Sequence, residues 1–538
     1  MPIRLSNVRL SVDAPEAALA DRLAASLSVR PADLRQWRIL RKSLDVRDKR
    51  DLAFVYSAEV VVDDERRLLT HFSRRPSPVQ AEAYDEPPFA MPEPGDVPLR
   101  DRPLVVGSGP AGLFAAYFLA QAGYRPLVLE RGPAVHDRIR DVRRLETPGG
   151  PHDPESNYLF GEGGAGTFSD GKLTCRNTGP EVRRVLELFA ECKGKASVLY
   201  EHRPHLGSNR LPAVVKALRR RIEAFGGEFR FRCRVDDLDV ADGRVRGVFT
   251  SDGYLAAGVV VLAVGHSARD TYAMLLRRGV AMVQKPFQIG VRIEHPQTLV
   301  NRVQYGDALL ENRLGAADYT LVAHGSHDLF SFCMCAGGQV IPSVSEPGFF
   351  STNGMSLSRR DSPFANSGFM MTLEPRHFGS DDVLAGVEIQ RRFEARAYAV
   401  GRGEYRCPIQ RAADYLAGRT STSLPPSSYR RGLVAADVAE LLPPQTAEAV
   451  RQGLPLLDRR WQGRFLPEAT IVGPEARGSS PVRLPRENET LESVNTAGLY
   501  PIGEGAGYAG GIVSAAVDGI RAARAVVARH APFARSLR

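Results

Sequence analysis

Cysteine is scarce in this chain, with six in 538 residues. That is too few and too scattered for a disulfide scaffold, and it suits a reducing compartment. Cys175, Cys192, Cys233 and Cys407 lack partners at metal-ligand spacing, so no zinc or iron–sulfur site is expected. No run of about eighteen apolar residues occurs, which excludes a membrane span. The opening Met1-Pro2-Ile3-Arg4-Leu5 leads into polar, alternating sequence without an apolar leader or a cleavage site, so a cytoplasmic protein is expected. There is no short internal repeat. Nor is there a long block of one charge, although the formal net charge is +9. Arginines spread in this way read as compositional bias, and a nucleic-acid partner is not expected from them.

What is present is enough for two or three domains with large cores, at 43% apolar and 25% charged residues. The fold class expected is α/β. A nucleotide-type domain of buried parallel strands is interrupted by an inserted mixed α+β domain and preceded by a small α+β module. Residues 1–72 form that module, with strand alternation over Arg4–Val12, a helical pattern over Pro15–Leu27, and strands around Trp37–Leu44 and Leu52–Val62. This β-α-β-β order suits a ferredoxin-like half. Residues 73–103, with Pro76, Pro78, Pro87, Pro88, Pro92, Pro94 and Pro98, read as an extended linker. The nucleotide-domain pattern runs over 104–282, stops for a mixed stretch over 283–495, and resumes over 496–530.

The buried-strand run Pro103-Leu104-Val105-Val106 feeds into Gly107-x-Gly109-x-x-Gly112, then a helix over Leu113–Ala122 and a strand ending at Glu130. Gly107 permits the tight turn, Gly109 lets the backbone approach a diphosphate, and Gly112 lets helix and strand pack. The diphosphate is expected on the helix N-terminus at Pro110 and Ala111, where free N–H groups and the dipole favour negative charge. Glu130 stands at the usual distance for the adenosine ribose hydroxyls and disfavours a 2′-phosphate, which leaves FAD or NAD. A second glycine loop over Phe160–Lys172 is nearly bare of side chains in its middle, at Gly163, Gly164, Ala165, Gly166 and Thr167. It suits close approach to a phosphate or a ring edge.

A β-meander around Val235–Val248, a buried strand ending in Ala263-Val264-Gly265, and the late segment Gly503-Glu504-Gly505 leading into Gly510-Gly511-Ile512 then follow. This order resembles the glutathione-reductase-like flavoprotein superfamily. The resemblance implies a Rossmann-type FAD-binding domain interrupted by the inserted substrate domain, with Glu504 at the ribityl chain and the last helix aimed at the flavin. Arg131, Val235, Ala263 and Gly265 complete the expected cofactor contacts. A closer resemblance, to bacterial FAD-dependent dehydrogenases with a ferredoxin-like N-terminal module, rests on a further set of stretches. These are Arg41–Asp45, the 160–172 loop, Ala263–Asp270, Lys285–Pro296, Ser331–Gly338, Asn353–Ser356 and Gly503–Ile512. One departure is Glu475-Ala-Arg-Gly-Ser-Ser480, where Glu-Thr-Arg-Thr-Ser-Ser is expected.

Candidates for chemistry are Cys333 and Cys335, two thiols one residue apart that are either a strained, easily reduced disulfide or two small buried side chains. His266 either meets cofactor or substrate or is structural. Lys172 either lies near the flavin or a phosphate or pairs with Asp170. Alternation places Arg292 and Glu294 on one face, where an ion pair is expected. Phe287, Phe330, Phe332, Phe349, Phe350, Phe364 and Phe369 supply apolar surface, either for a bulky apolar or aromatic substrate or, for most of them, for core packing. No second GxGxxG occurs, so NAD(P)H is expected only as a transient electron donor. The function expected is hydride transfer between flavin and an unidentified organic substrate, with a bulky apolar or aromatic one in view. The alternatives are an NAD(P)H-dependent flavin monooxygenase and a flavin-bearing RNA-binding protein. Oligomeric state is not legible.

Overall fold

The computed structural model describes residues 1–72, 77–175 and 177–532. Residues 73–76 at the head of the expected linker, Pro76 among them, lie outside the described residues.

At the N-terminus, strand β1 (Ile3–Ser11) buries Ile3, Leu5, Val8 and Leu10 on one face, with a bulge between Leu5 and Val8. Helix α1 (Leu19–Leu27) covers that face with Leu19, Leu23 and Leu27 and stops at Ser28, whose φ is 58°. Strands β2 (Gln36–Asp45) and β3 (Ala53–Val61), helix α2 (Glu65–Phe72) and strand β4 (Gln80–Ala83) follow, and the sheet order is β2-β3-β1-β4. Strand β4 falls inside the stretch expected to be linker. Its sequence Gln-Ala-Glu-Ala is short and polar, and it is ordered by pairing with β1 rather than by its own pattern. Further on, the linker lies along the chain's last helix, where Gly95 N–H donates to Val527 and Val97 N–H to Arg529.

The nucleotide fold is a parallel sheet of β5 (Leu104–Val106), β6 (Leu127–Glu130), β7 (Glu228–Phe231) and β11 (Val260–Leu262). A fifth strand, Leu499–Pro501, pairs with β11 after an excursion of the chain. Each residue of β5, β6 and β11 is buried, as two helix-covered faces require. Helix α3 (Pro110–Gln121) packs on the C-terminal helix Ile512–Arg529 at very short range: a Cβ on Gly519 would lie 2.1 Å from the Ala111 carbonyl oxygen. Helices α4 (Val135–Glu146), α5 (Pro180–Glu191) and α6 (Leu211–Ala224) complete this layer. The meander β8 (Val235–Ala241), β9 (Arg244–Thr250) and β10 (Gly253–Ala256) precedes β11, and helix α7 (Arg269–Arg277) follows it.

Beyond α7, the strands are β12 (Val283–Gln284), β13 (Phe287–Pro296), β14 (Val322–His324), β15 (Asp328–Cys335), β16 (Gly338–Pro342) and β17 (Thr352–Ser356). Then come β18 (Phe364–Leu373), β19 (Cys407–Arg411), β20 (Leu433–Ala435), β21 (Thr470–Glu475), β22 (Val482–Arg483) and β23, the returning Leu499–Pro501. Seven of them form a second sheet in the order β14-β15-β18-β13-β21-β19-β20. Its centre is the ten-residue pairing of β13 with β18, from Phe287 opposite Leu373 to Pro296 opposite Phe364. The helix Pro444–Arg460 covers one face, burying Val450, Leu454 and Leu457 in a cluster with Val291, Ile293, Leu329 and Phe369.

Candidate active site

Four glycine segments meet at the ends of the parallel strands. Gly107 turns with φ 99°, and a Cβ there would sit 2.5 Å from the Ala263 carbonyl oxygen. A Cβ on Gly112 would lie 1.9 Å from the Gly107 carbonyl oxygen, so only glycine closes this turn. Gly109 differs: its φ is −68°, and the nearest atom to an added Cβ is Gly164 Cα at 4.0 Å. Space beside it is open. From the second loop, Gly163 N–H donates to the Ser108 carbonyl at 2.9 Å, and Gly166 faces Pro110 and Ile512. From the last segment, Gly503 faces Ala111 and Gly505 faces Gly265. Gly510 lies against Glu504, and Gly511 (φ 96°) opens the helix at Ile512. Ala165 is exposed at the tip of the second loop, while Thr167 is buried and donates to the Glu162 carbonyl at 3.2 Å.

The structure gives Glu130 a bracing role. Its carboxylate accepts from the backbone N–H of Ser108 (2.9 Å), Gly132 (2.9 Å) and Gly161 (3.1 Å) and from the Ser108 hydroxyl (2.6 Å). It therefore ties both glycine loops together. Arg131 is held by Glu155 and Asp270 over the Phe160 ring, 4.3 Å from its centroid. Val235 opens β8 two residues after Cys233, whose N–H donates to the Glu130 carbonyl at 3.0 Å. Sequence reasoning missed Arg138. Fully buried under the second loop, it donates to the carbonyls of Asn157 (2.9 Å), Gly161 (3.2 Å) and Glu162 (2.8 Å). Burial lowers its pKa to about 10. On a helix as charged as α4 it had no distinguishing signal.

Glu504 accepts from Ser480 N–H at 2.9 Å, and burial raises its pKa against the opposing pull of that N–H and of Lys285. Nearby, Glu394 is shared by Arg269 (2.7 Å) and Arg477 (2.8 Å), all three buried. Burial pushes the Glu394 carboxyl up, but the two guanidinium groups win and bring it to about 2. His266 is held neutral, its pKa lowered to about 4 by burial first and then by Arg477 and Arg269. The glycine at 478, in place of the expected threonine, has a local reason: a Cβ there would be 2.6 Å from Gln288 Cβ.

The expected pair of Arg292 with Glu294 is corrected. Arg292 is fully buried and forms two hydrogen bonds to Glu475 instead, at 2.8 and 2.9 Å. Glu294 accepts from Ser427 and Ser428. The alternation was right; the neighbouring strand β21 supplied a better-placed carboxylate than the residue two positions along.

Cys333 and Cys335 are both free thiols. The ladder between β15 and β18 breaks between Phe332 and Cys335, and Cys333 takes φ 45°, a left-handed conformation costing roughly 1–3 kcal/mol for a non-glycine residue. Cys333 is half-buried and Cys335 fully buried. Lys172 sits between the two halves of the molecule: its ammonium pairs with Asp170 at 2.5 Å and donates to the Met334 carbonyl. Asp170 also receives Ser356 and faces His205 at 3.4 Å. A groove of about 580 Å³ opens here, lined by Arg41, Lys172, His202, Arg203, Cys333 and Arg360 among others. Strand β2 forms one wall, docked by Lys42 N–H to the Tyr200 carbonyl (2.7 Å) and His202 N–H to the Lys42 carbonyl (2.8 Å). None of the seven phenylalanines lines this groove, and Phe287, Phe350 and Phe369 are fully buried in the cores. Core packing is thus the use of those three, and the groove's lining is mixed, with Arg41, Lys172, Arg203 and Arg360 beside Leu173, Val182, Tyr319 and Met334.

A dinucleotide-binding flavin oxidoreductase is the class these features define. Residues 105–166 match the NAD(P)-binding Rossmann-like domain family, and residues 180–323 the FAD dependent oxidoreductase family. Residues 286–478 match the family described as FAD-dependent protein, C-terminal domain-like, and residues 2–61 a domain of unknown function, DUF8436. An uncharacterized protein of Clostridium beijerinckii is 40% identical over 532 residues, covering 98% of this chain and 99% of that one. The chain belongs to that protein's family and is an FAD-dependent oxidoreductase. Solved structures similar to it include glycine oxidase from Bacillus cereus, 12% identical over 80% of this chain and 94% of that chain at a TM-score of 0.33. L-proline dehydrogenase from P. horikoshii is 10% identical over 80% and 93%, at a TM-score of 0.33. Among the described residues no helix is long and apolar enough to cross a membrane.

Proposed function

We propose that the four glycine segments hold FAD and that a small-molecule substrate reacts in the groove beside Cys333. The observation that carries this is the open side of Gly109. A turn that clashes with a Cβ at Gly107 and Gly112 leaves free space at the one glycine facing the second loop. On this reading the diphosphate lies at Gly109, Gly163 and Gly164, on the N–H groups of Ala111 and Gly112 that precede the first intrahelical bond. Glu504 takes the ribityl chain, and the N-terminus of the helix Ile512–Arg529 favours negative charge on the ring. Bound FAD supplies two-electron exchange with the substrate. Glu130 and Arg138 fix the loops in advance, so little ordering remains to be done on binding. Lys172 keeps its charge beside Asp170 and offers an ammonium to the groove. NAD(P)H enters as a transient donor, tested by anaerobic bleaching of the flavin with NADH and NADPH in turn.

The domain division follows the same reading. Residues 104–282 and 496–530 form the FAD domain, supported by the pairing of β23 with β11, and 283–495 the substrate domain, supported by its own seven-stranded sheet. The ferredoxin-like reading of 1–72 is supported by the order β2-β3-β1-β4 with helices after β1 and β3. The return of the chain to supply Glu504 supports the glutathione-reductase-like superfamily, and six free thiols support a reducing cytoplasm. Hydrogen exchange on the apoprotein with and without FAD tests the placement. Protection is expected over 107–112, 161–167 and 503–512; protection confined to other segments overturns it.

A further inference from the structure

A regular strand separates side chains i and i+2 by about 6.6 Å, too far for bonded sulfurs, whose Cβ atoms stand about 3.8 Å apart. The bulge and the left-handed turn at Cys333 break that spacing. The Cys335 thiol now donates to the Cys333 carbonyl oxygen at 3.2 Å, folding its side chain back toward the preceding thiol's residue. One thiol opens to the groove while the other lies beneath it. Two cations, Lys172 and Arg292, face the pair, and Arg292 reaches the Cys333 carbonyl at 3.4 Å. The groove itself carries Arg41, Lys172, Arg203 and Arg360 against Glu201 and Asp318, with the buried Asp170 beneath Lys172 and Arg360, which leaves an excess of positive charge.

We propose that Cys333 and Cys335 are a redox pair, an attacking thiol and its resolving partner, and that the groove receives a small disulfide bearing anionic groups. The proposal rests on the reading of this groove as the substrate site. The Cys333 thiolate attacks one substrate sulfur, forming a mixed disulfide and releasing the first substrate half as a thiolate. Cys335 then gives up its proton to the departing group and attacks the Cys333 sulfur, releasing the second half. The sum is dithiol plus substrate disulfide to enzyme disulfide plus two thiols, a transfer of two electrons. Resetting the dithiol takes an electron pair, which bound FAD reduced by NAD(P)H would supply, and two protons from solvent. The asymmetry needed for this order is built in. The Cys335 thiol lowers the Cys333 pKa against burial, aided by Lys172 and Arg292 and resisted by Asp170. Burial, then Cys333, raises Cys335 well above the usual thiol range. A lowered pKa on an accessible sulfur is what marks a reactive cysteine.

The test uses full-length, flavin-loaded protein, reduced and desalted, then treated with oxidised glutathione or with the neutral hydroxyethyl disulfide. Peptide mapping after alkylation should find Cys333 and Cys335 joined and the other four cysteines still alkylated. Cys335→Ser should trap the mixed disulfide on Cys333, and Cys333→Ser should abolish adducts at both positions. Trapping should be faster with oxidised glutathione by at least about tenfold at low salt. An unmodified pair in the wild type, or an adduct forming on Cys335 in Cys333→Ser, overturns the redox pair. Equal or slower trapping with oxidised glutathione overturns the anionic ligand. Flavin absorbance of each variant is read alongside: its retention with no thiol reaction faults only this inference, whereas flavin that never binds wild type faults the site beneath it.

Discussion

Gly109 and Gly112 stand three residues apart in one turn, and alanine at each should do opposite things. At Gly109 the backbone is already in a region open to any residue, and the nearest atom to the new Cβ lies at 4.0 Å. Removing a glycine restricts the unfolded chain and stabilises by about 0.4–1 kcal/mol. Alanine is a poorer N-cap than glycine, which costs a similar amount. The apoprotein of G109A should therefore match wild type within about 1 kcal/mol in urea unfolding. Its FAD affinity should nonetheless fall at least about tenfold, or 1.4 kcal/mol, because the methyl enters the space assigned to the diphosphate. At Gly112 the Cβ meets the Gly107 carbonyl oxygen at 1.9 Å and its carbon at 3.0 Å, both backbone atoms that cannot swing away. G112A should lose about 1–3 kcal/mol or more before any cofactor is added. Calorimetric titration of FAD into each apoprotein, paired with its unfolding curve, reads both quantities. Wild-type FAD affinity in G109A would refute the placement of the diphosphate, and wild-type stability in G112A would refute the turn.

Other expectations concern buried charge. R292M leaves Glu475 buried without its cation and should cost about 3–5 kcal/mol in urea unfolding, with R292M/E475M recovering much of it. E394Q removes the carboxylate shared by two buried guanidinium groups, Arg477 and Arg269, of which Arg269 keeps Glu346 at 3.3 Å, and should cost at least about 3 kcal/mol by the same measurement. His295 is 1% exposed, donates to the Phe465 carbonyl at 3.0 Å, and has its pKa lowered from 6.5 to about 4 by burial. The unfolded chain takes up that proton below pH 6.5 and the folded one only below about 4. Its stabilising contribution is therefore complete above pH 6.5, is lost as pH falls through this window, and amounts to about 3 kcal/mol. The stability gap between wild type and H295N should shrink by that amount from pH 6.5 to 4; a constant gap would show that the ring charges without penalty.

Local pattern carried the nucleotide fold. Apolar runs at Leu104–Val106 and Val260–Leu262 and the three glycines of the turn each state their own geometry, so the strands and α3 were legible residue by residue. Partnerships across the chain were not. Arg292 and Glu475 are 183 positions apart, and nothing near Arg292 says that β21 rather than Glu294 will face it. Strand β4 has no apolar alternation and exists through pairing with β1. The Cys333–Cys335 spacing was visible, but the bulge that turns the Cys335 thiol onto the Cys333 carbonyl comes from the register of β15 on β18. The place of Glu130 at the end of β6 was legible, but its four hydrogen bonds join loops that sequence order alone does not bring together.

The most direct measurement is a crystal structure of the FAD-loaded chain. Dinucleotide density should run with its diphosphate between Gly109 and Gly164 and its ribityl chain beside Glu504. Density for FAD away from these glycines, or a diphosphate on a helix N-terminus other than that of α3, would contradict the account.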